Sequence, residues 1–218
     1  MNRDQKDEGV LLVISGPSGA GKGTICEAIR EIYTDLEYST SMTTRAPRNG
    51  EKEGISYYFR TDEEFEKLIA EDAFLEYANV YNHYYGTPKK YVLDKIAEGK
   101  SVLLEIDIQG AMQVKKRYPK GVFVYIVPPS LEILSRRIHD RGTDSEEVIQ
   151  NRLAQITEEL GQAHQYDYIV VNDVLEEAVS KVRAIIEAEK CKLSRNEHEI
   201  QRVFRQYINK EIPCESET

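Results

Sequence analysis

Gly16-Pro17-Ser18-Gly19-Ala20-Gly21-Lys22-Gly23-Thr24 is the stretch on which the reading of this chain turns. It follows the apolar run Val10–Ile14, which the pattern assigns to a buried strand. It precedes Ile25 to Ile32, which the pattern assigns to a helix. Strand, glycine-rich loop and helix, with a lysine at the turn, make a phosphate cradle. Glycines let backbone N–H groups converge on an anion with no side chain in the way. The helix N-terminus adds partial positive charge. Lys22 can reach the β- and γ-phosphates of a nucleotide. The first expectation is a nucleoside triphosphate site using Gly16, Ser18, Gly19, Ala20, Gly21, Lys22, Gly23 and Thr24. Gly23 stands where a serine or threonine often follows the lysine. Thr24, one place later, is therefore the candidate for the hydroxyl facing a magnesium ion.

The bulk properties narrow the class. A chain of 218 residues, 40% hydrophobic and 31% charged, suits one α/β core with small subdomains. No apolar run approaches the roughly 20 residues that span a bilayer, and the polar Met1–Glu8 segment does not read as a signal peptide. Cys26, Cys191 and Cys214 are odd in number and far apart. They suggest neither a disulfide framework nor a metal pair, and point to a reducing cytoplasm. Twenty-nine Lys and Arg against 38 Asp and Glu give a net charge of −9. That disfavours nucleic acid and anionic membranes as partners. Any anion site must be a local arginine cluster on an acidic protein.

Strand-like runs recur at Val10–Ser15, Ser101–Ile106, Gly121–Val127 and Tyr168–Val171. Near-continuous apolar runs suit strands covered on both faces of a parallel sheet. Leu131, Leu134 and Ile138 recur at helical spacing. So do Ile149, Leu153, Ile156 and Leu160, and then Leu175, Ala178, Val179, Val182, Ile185 and Ile186. Strands alternating with helices predict a wound α/β sheet. Residues 39–96 break the rhythm with a hydroxyl run (Ser39–Thr44), an extended turn (Arg45–Gly50) and short tyrosine-rich strands at Tyr57–Phe59, Phe74–Val80 and His83–Tyr85. A short helix, Asp62–Glu71, is expected there behind Thr61 as N-cap. Beyond residue 192, Ile200, Val203, Phe204 and Tyr207 predict an amphipathic helical tail. Its end, Pro213–Thr218, reads as disordered.

Two basic clusters stand out. Ser41-x-Thr43-Thr44-Arg45-x-Pro47-Arg48-x-Gly50-Glu51-x-x-Gly54-x-x-Tyr57-x-Phe59 places two arginines on a proline-fixed turn, fit to grip one phosphate. Arg137 and Arg141 are four apart on a helical face, and Arg152 follows; Arg136 reads as a surface residue. The four histidines show no metal-ligand spacing.

The first of these segments resembles the monophosphate site of the guanylate kinase family, and other segments match in order. They are Phe74-Leu75-Glu76-Tyr77-Ala78, Tyr84-Tyr85-Gly86-Thr87, Leu104-Glu105-Ile106-Asp107-Ile108-Gln109-Gly110, Arg141-Gly142-Thr143, Asn151-Arg152-Leu153 and Val170-Val171-Asn172-Asp173. The match runs from about residue 10 to 190. It implies a P-loop core with a parallel sheet flanked by helices, an inserted mixed α/β GMP-binding subdomain and a short helical lid. The corresponding division is core 1–38, GMP-binding 39–96, core 97–137, lid 138–155, core 156–192 and tail 193–218. The implied reaction is transfer of the γ-phosphoryl of ATP to GMP, and dGMP is expected to serve too. The resemblance assigns Ser41, Arg45, Arg48, Tyr57, Glu76, Tyr85, Thr87, Glu105 and Asp107 to GMP, and Asn172 to the adenine side. Lys22, Arg45, Arg137, Arg141 and Arg152 are assigned to the transferring phosphate. Mg²⁺ is expected near Asp107 and Thr24, partly through water. The chemistry agrees: a carboxylate at Glu76 suits guanine's N1–H and N2–H₂ donors, and the Thr87 and Ser41 hydroxyls suit O6. Adenine would leave that buried charge unpaired. A kinase of similar fold with another acceptor, a non-catalytic binding module and a nucleic-acid-dependent NTPase are the alternatives. A monomer and a homo-oligomer are both open.

Overall fold

A computed structural model describes residues 9–80, 82–139, 161–197, 200, 202–205 and 207. Its strands in chain order are β1 (Leu11–Ser15), β2 (Glu37–Tyr38), β3 (Met42–Thr43), β4 (Tyr58–Phe59), β5 (Phe74–Val80), β6 (His83–Pro88), β7 (Val102–Glu105), β8 (Val122–Val127) and β9 (Tyr168–Val171). The helices are α1 (Lys22–Ile32), α2 (Asp62–Ala70), α3 (Lys89–Ala97), α4 (Ile108–Arg117), α5 (Leu131–His139) and α6 (Leu175–Lys190).

The main sheet is parallel throughout, in the order β2-β7-β1-β8-β9. Strand β1 lies at its centre, every residue of it buried. Its alternating side chains feed two cores. Leu12 and Ile14 join Ile25, Cys26 and Ile29 of α1 with Ala178, Val179 and Val182 of α6. Leu11 and Val13 join Val92 and Ile96 of α3 with Ala111 and Val114 of α4. Helices on both faces account for the continuous apolar strands. The order reverses at β1, flanked by β7 and β8. Ligands of open α/β sheets bind beyond the strand C-termini at such a point, and here Ser15 and Glu105 end the neighbouring strands β1 and β7.

The second sheet, β4-β3-β6-β5, is mixed and small. Its packing is aromatic: Phe65 of α2 stacks between Phe74 (4.4 Å) and Tyr84 (5.2 Å). Gly86 makes this possible, because a Cβ there would lie 2.7 Å from Phe74 Cδ1. Leu75 points into the α3–α4 core and roots β5 in the main body. Thr61 caps α2 in a full capping box with Glu64.

Several expectations shift. Helix α1 begins at Lys22, not Ile25, because Gly21 takes a left-handed conformation (φ +88°) and serves as its N-cap. Helices α3 and α4 were not predicted. Their buried stripes are short, Val92 and Ile96 in one and Ile108, Ala111 and Val114 in the other. The edge strand β2 and strand β3 are two residues each, too short for a periodic signal. Strand β6 continues three residues beyond Tyr85. Of the predicted tail, Leu193–Arg195 is a 3₁₀ turn, and Ile200, Val203, Phe204 and Tyr207 are exposed. The stripe from Ile149 to Leu160, the proposed lid beyond His139, Arg141, Arg152 and Pro213–Thr218 lie outside the described residues.

Candidate active site

Residues 16–21 form the link from β1 to α1. Gly16, Gly19 and Gly21 all have positive φ. All three also meet neighbours that would exclude a side chain, and a Cβ at Gly16 would lie 2.1 Å from Ile126 O. A Cβ at Gly19 would lie 2.9 Å from Leu134 Cδ1 of α5, and one at Gly21 would lie 2.2 Å from Asn172 Nδ2. The first turn of α1 carries no acidic residue, so its N–H groups and dipole stay available to an anion. Lys22 Nζ donates to the carbonyls of Gly16 (2.6 Å) and Pro17 (3.1 Å), which holds the ammonium over the loop.

Asn172, expected on the adenine side, is 6% exposed and donates from Nδ2 to Ala20 O at 2.8 Å. Its own carbonyl accepts from Arg137 Nη2 at 3.1 Å. Asn172 thus ties the end of β9 to both the loop and α5. Arg137 Nη1 is buried with no hydrogen-bond partner among the described residues, a donor suited to an anion. Arg136, on the same helix, is exposed as expected.

A cavity of about 230 Å³ opens between the two sheets. Lys22, Glu105, Ile106 and Asp107 line it from the main body, and Ser41, Tyr57, Glu76, Ala78, Val80 and Tyr85 from the second sheet. Glu76 is 4% exposed. Its register partner across β5 and β6 is Thr87, whose hydroxyl donates to Glu76 Oε1 at 2.6 Å. Thr87 is itself fully buried, and its proton is directed to Glu76 where the sequence suggested guanine O6. Burial pushes the Glu76 carboxyl up to about 7; the Thr87 hydroxyl opposes this and the Asp107 charge adds to it.

Glu105 and Asp107 stand at the C-terminal end of β7. Tyr38 approaches Glu105 Oε2 at 3.5 Å. Burial, then the Glu105 charge, raises the Tyr38 phenol. Gly23 lies beside this carboxylate. A Cβ there would make ordinary contact with the Glu105 oxygens, at 3.5 and 3.8 Å. Asp107 is the N-cap of α4 and accepts the Gly110 N–H at 2.7 Å. Among the described residues no three His, Cys, Asp or Glu side chains cluster as a metal cage.

Tyr57 and Tyr85 meet edge to face at 5.9 Å, and the Arg45 guanidinium lies 5.5 Å from the Tyr57 ring centre. Glu51, quoted in the motif but given no role, is the residue the sequence reading missed. Its carboxylate binds Arg45 Nη2 through both oxygens (2.7 and 3.0 Å) and accepts the Arg48 N–H at 2.7 Å. Arg45 Nη1 also donates to Ala46 O. Glu51 raises the Arg45 pKa further, so the guanidinium stays charged and oriented. The Arg48 side chain is exposed at the turn. An acidic residue six after an arginine, across a proline-glycine turn, was the available signal.

Comparison with known proteins gives this arrangement its context. The family model described as guanylate kinase matches residues 8–189. The chain is 57% identical over 191 residues to the guanylate kinase of Caldanaerobacter subterraneus subsp. tengcongensis, covering 88% of this chain and 93% of that one. It is 55% identical over 188 residues to that of Carboxydothermus hydrogenoformans, covering 86% and 92%. The crystal structure of guanylate kinase from Anaplasma phagocytophilum superposes with a TM-score of 0.73 at 36% identity, covering 87% of this chain and 90% of that one. With its glycine loop, its buried Glu76 and these relatives in agreement, the chain belongs to the guanylate kinase family.

Proposed function

We propose a division of labour by which this guanylate kinase moves the γ-phosphoryl of ATP to GMP, giving ADP and GDP. The observation that carries it is the cavity shared by Lys22 of the phosphate loop and the buried Glu76 of the second sheet. The loop N–H groups and Lys22 hold the donor phosphates. Glu76, ionised, accepts from guanine N1–H and N2–H₂, and Ser41 supplies a hydroxyl near O6. Thr87 holds Glu76 and favours its charged form. Arg45, held by Glu51, grips the acceptor phosphate with Arg48, Tyr57 and Tyr85.

A GMP phosphate oxygen attacks the γ-phosphorus in line, and the bond from that phosphorus to the β,γ-bridging oxygen breaks. The nucleophile is already ionised at neutral pH, so no general base is required. Catalysis is positioning and charge stabilisation. Arg137, whose Nη1 has no hydrogen-bond partner among the described residues, is suited to the developing charge, and the family resemblance assigns Arg141 and Arg152 to the same charge. Magnesium sites on phosphates commonly take one or two protein carboxylates and several waters. The sparse acidic set of Asp107, Glu105 and the Thr24 hydroxyl fits such a site, and the ion would neutralise phosphate charge. The segments 39–96 and 138–155 are assigned to acceptor binding and the lid, closing out water that would otherwise hydrolyse ATP. No helix among the described residues is long and apolar enough to cross a membrane; with the cysteine pattern, this supports a cytoplasmic enzyme.

A coupled ADP-release assay across GMP, dGMP, AMP, CMP and UMP tests the reading. GMP should be turned over at least a hundredfold more efficiently than AMP, because a buried carboxylate rejects adenine's acceptor edge by about that factor or more. Equal or greater turnover with AMP sinks it.

A further inference from the structure

Two residues of α4 take no part in the roles above, yet both touch the acceptor strand. Gly110 and Gln113 lie three apart and share a helix face. Strand β5 ends its sheet, so one backbone edge has no neighbouring strand. At Tyr77 that edge is closed by a side chain. Gln113 Oε1 accepts the Tyr77 N–H at 3.2 Å, and its Nε2 donates to Tyr77 O at 2.7 Å. Both backbone groups of the residue after Glu76 are thereby satisfied from α4.

One turn earlier, Gly110 faces Glu76 itself. A Cβ at 110 would lie 2.6 Å from Glu76 Oε2, 3.0 Å from its Cδ and 3.2 Å from Asp107 Oδ1. Glycine is the poorest helix former after proline, so its presence within α4 calls for a steric reason, and the carboxylate supplies one. The Gly110 N–H at the same point donates to Asp107, which caps the helix.

We propose that α4 gauges the depth of the guanine-reading carboxylate, with Gly110 and Gln113 as positioning residues that act through Glu76. Gly110 leaves the space the carboxylate occupies. Gln113 fixes the backbone beside it, so that the base pocket is set by the main body while the phosphate-gripping turn belongs to the second sheet. The inference rests on the reading of Glu76 as the guanine acceptor.

Steady-state kinetics on the full chain, varying GMP and ATP separately, tests it. Gly110→Ala and Gln113→Ala should each raise the GMP KM about tenfold. For Gln113→Ala the ATP KM and kcat at saturating GMP should stay within about twofold, since Gln113 holds only the β5 backbone. In a Glu76→Ala background neither change should raise the GMP KM further, because the carboxylate they position is gone. Glu76→Asp should rescue Gly110→Ala: the shorter acid withdraws from the added methyl, and the double variant should bind GMP as Glu76→Asp alone does. Equal effects of Gln113→Ala on ATP and GMP, or undiminished effects in the Glu76→Ala background, overturn the proposal. If Gly110→Ala does not fold, Gln113→Ala decides alone, because alanine is the best helix former. If Glu76→Ala raises the GMP KM and the α4 variants do not, the gauge falls and the base reading stands. If Glu76→Ala leaves the GMP KM unmoved, the base reading falls and takes the gauge with it.

Discussion

On the proposed division of labour, the two halves of the cavity recognise their ligands by different means. The phosphate loop is main chain. Its shape comes from glycines at positive φ and from the fully buried β1 beneath it. Backbone N–H groups grip any triphosphate and carry no information about the base. The second sheet works through side chains. Glu76 and Thr87 share a charged hydrogen bond across β5 and β6, and Arg45 and Glu51 form an ion pair on the turn between β3 and β4. On that proposal rigidity on one side gives rate, and charge placement on the other gives selectivity. A change in the loop should therefore slow every acceptor alike, whereas a change in the second sheet should discriminate among acceptors.

The largest effect should come from Lys22→Ala. Loss of one preorganised cation at developing charge costs about 10²–10³-fold in kcat. The loss should be the same for GMP and dGMP, with an unchanged thermal midpoint. A loss confined to one acceptor would break the contrast. Glu76→Ala should raise the GMP KM about a hundredfold and leave the ATP KM alone, the usual cost of an unpaired buried partner. If both constants rise together, Glu76 supports structure.

The pH dependence sharpens the same point. With Glu76 at about 7, protonation removes the acceptor that guanine requires. The GMP KM should climb about tenfold per unit as pH falls below that value, and Glu76→Gln should flatten the profile. Stability runs the other way. The folded-state pKa lies above the ordinary 4.5, so the folded protein holds an extra proton between about pH 4.5 and 7. Stability from this group is complete below 4.5 and is lost as pH rises through 7, about 3 kcal/mol in all. Denaturant titrations of wild type and Glu76→Gln at pH 5 and 8 would expose the difference; a parallel dependence in both proteins would refute it.

Smaller effects test the supports. Asn172→Ala leaves Ala20 O without its buried partner and should cost about 1–3 kcal/mol. A raised ATP KM with an unchanged GMP KM would mark it as a brace of the donor side. Glu51→Gln keeps the size but drops the charge that orients Arg45. A few-fold rise in GMP KM is expected, in line with a partly exposed ion pair. An effect on the ATP KM instead would place Arg45 on the wrong side of the comparison.

The contrast also explains what could be read in advance. Strands β1, β7 and β8 are continuous apolar runs because helices cover both faces, and hydrophobic runs reveal such strands; β9 is equally apolar, though Ile169 and Val171 are exposed. Helix α4 escaped because its buried stripe includes glycine and alanine, small residues chosen for close approach to β5. Strands β2 and β3 escaped because two residues carry no period. At the site, residue types with obvious chemistry were legible: Lys22, Arg45, Glu76. Their keepers were not. Glu51 resembles any surface acid, and Gln113 any helix-surface amide, until the chain brings one to Arg45 and the other to the edge of Tyr77.

Asn172 lies 152 residues downstream of the loop carbonyl it binds. The cradle written in residues 16–24 is therefore finished by a residue synthesised long after it. At roughly 5–20 residues per second, a nascent chain spends something like 8–30 s with a phosphate loop that lacks this brace. During that interval β1 also waits for β7 and β8, its neighbours on either side. Nucleotide grip is thus tied to completion of the main sheet, and a truncated translation product ending before Asn172 would carry the motif without the finished grip.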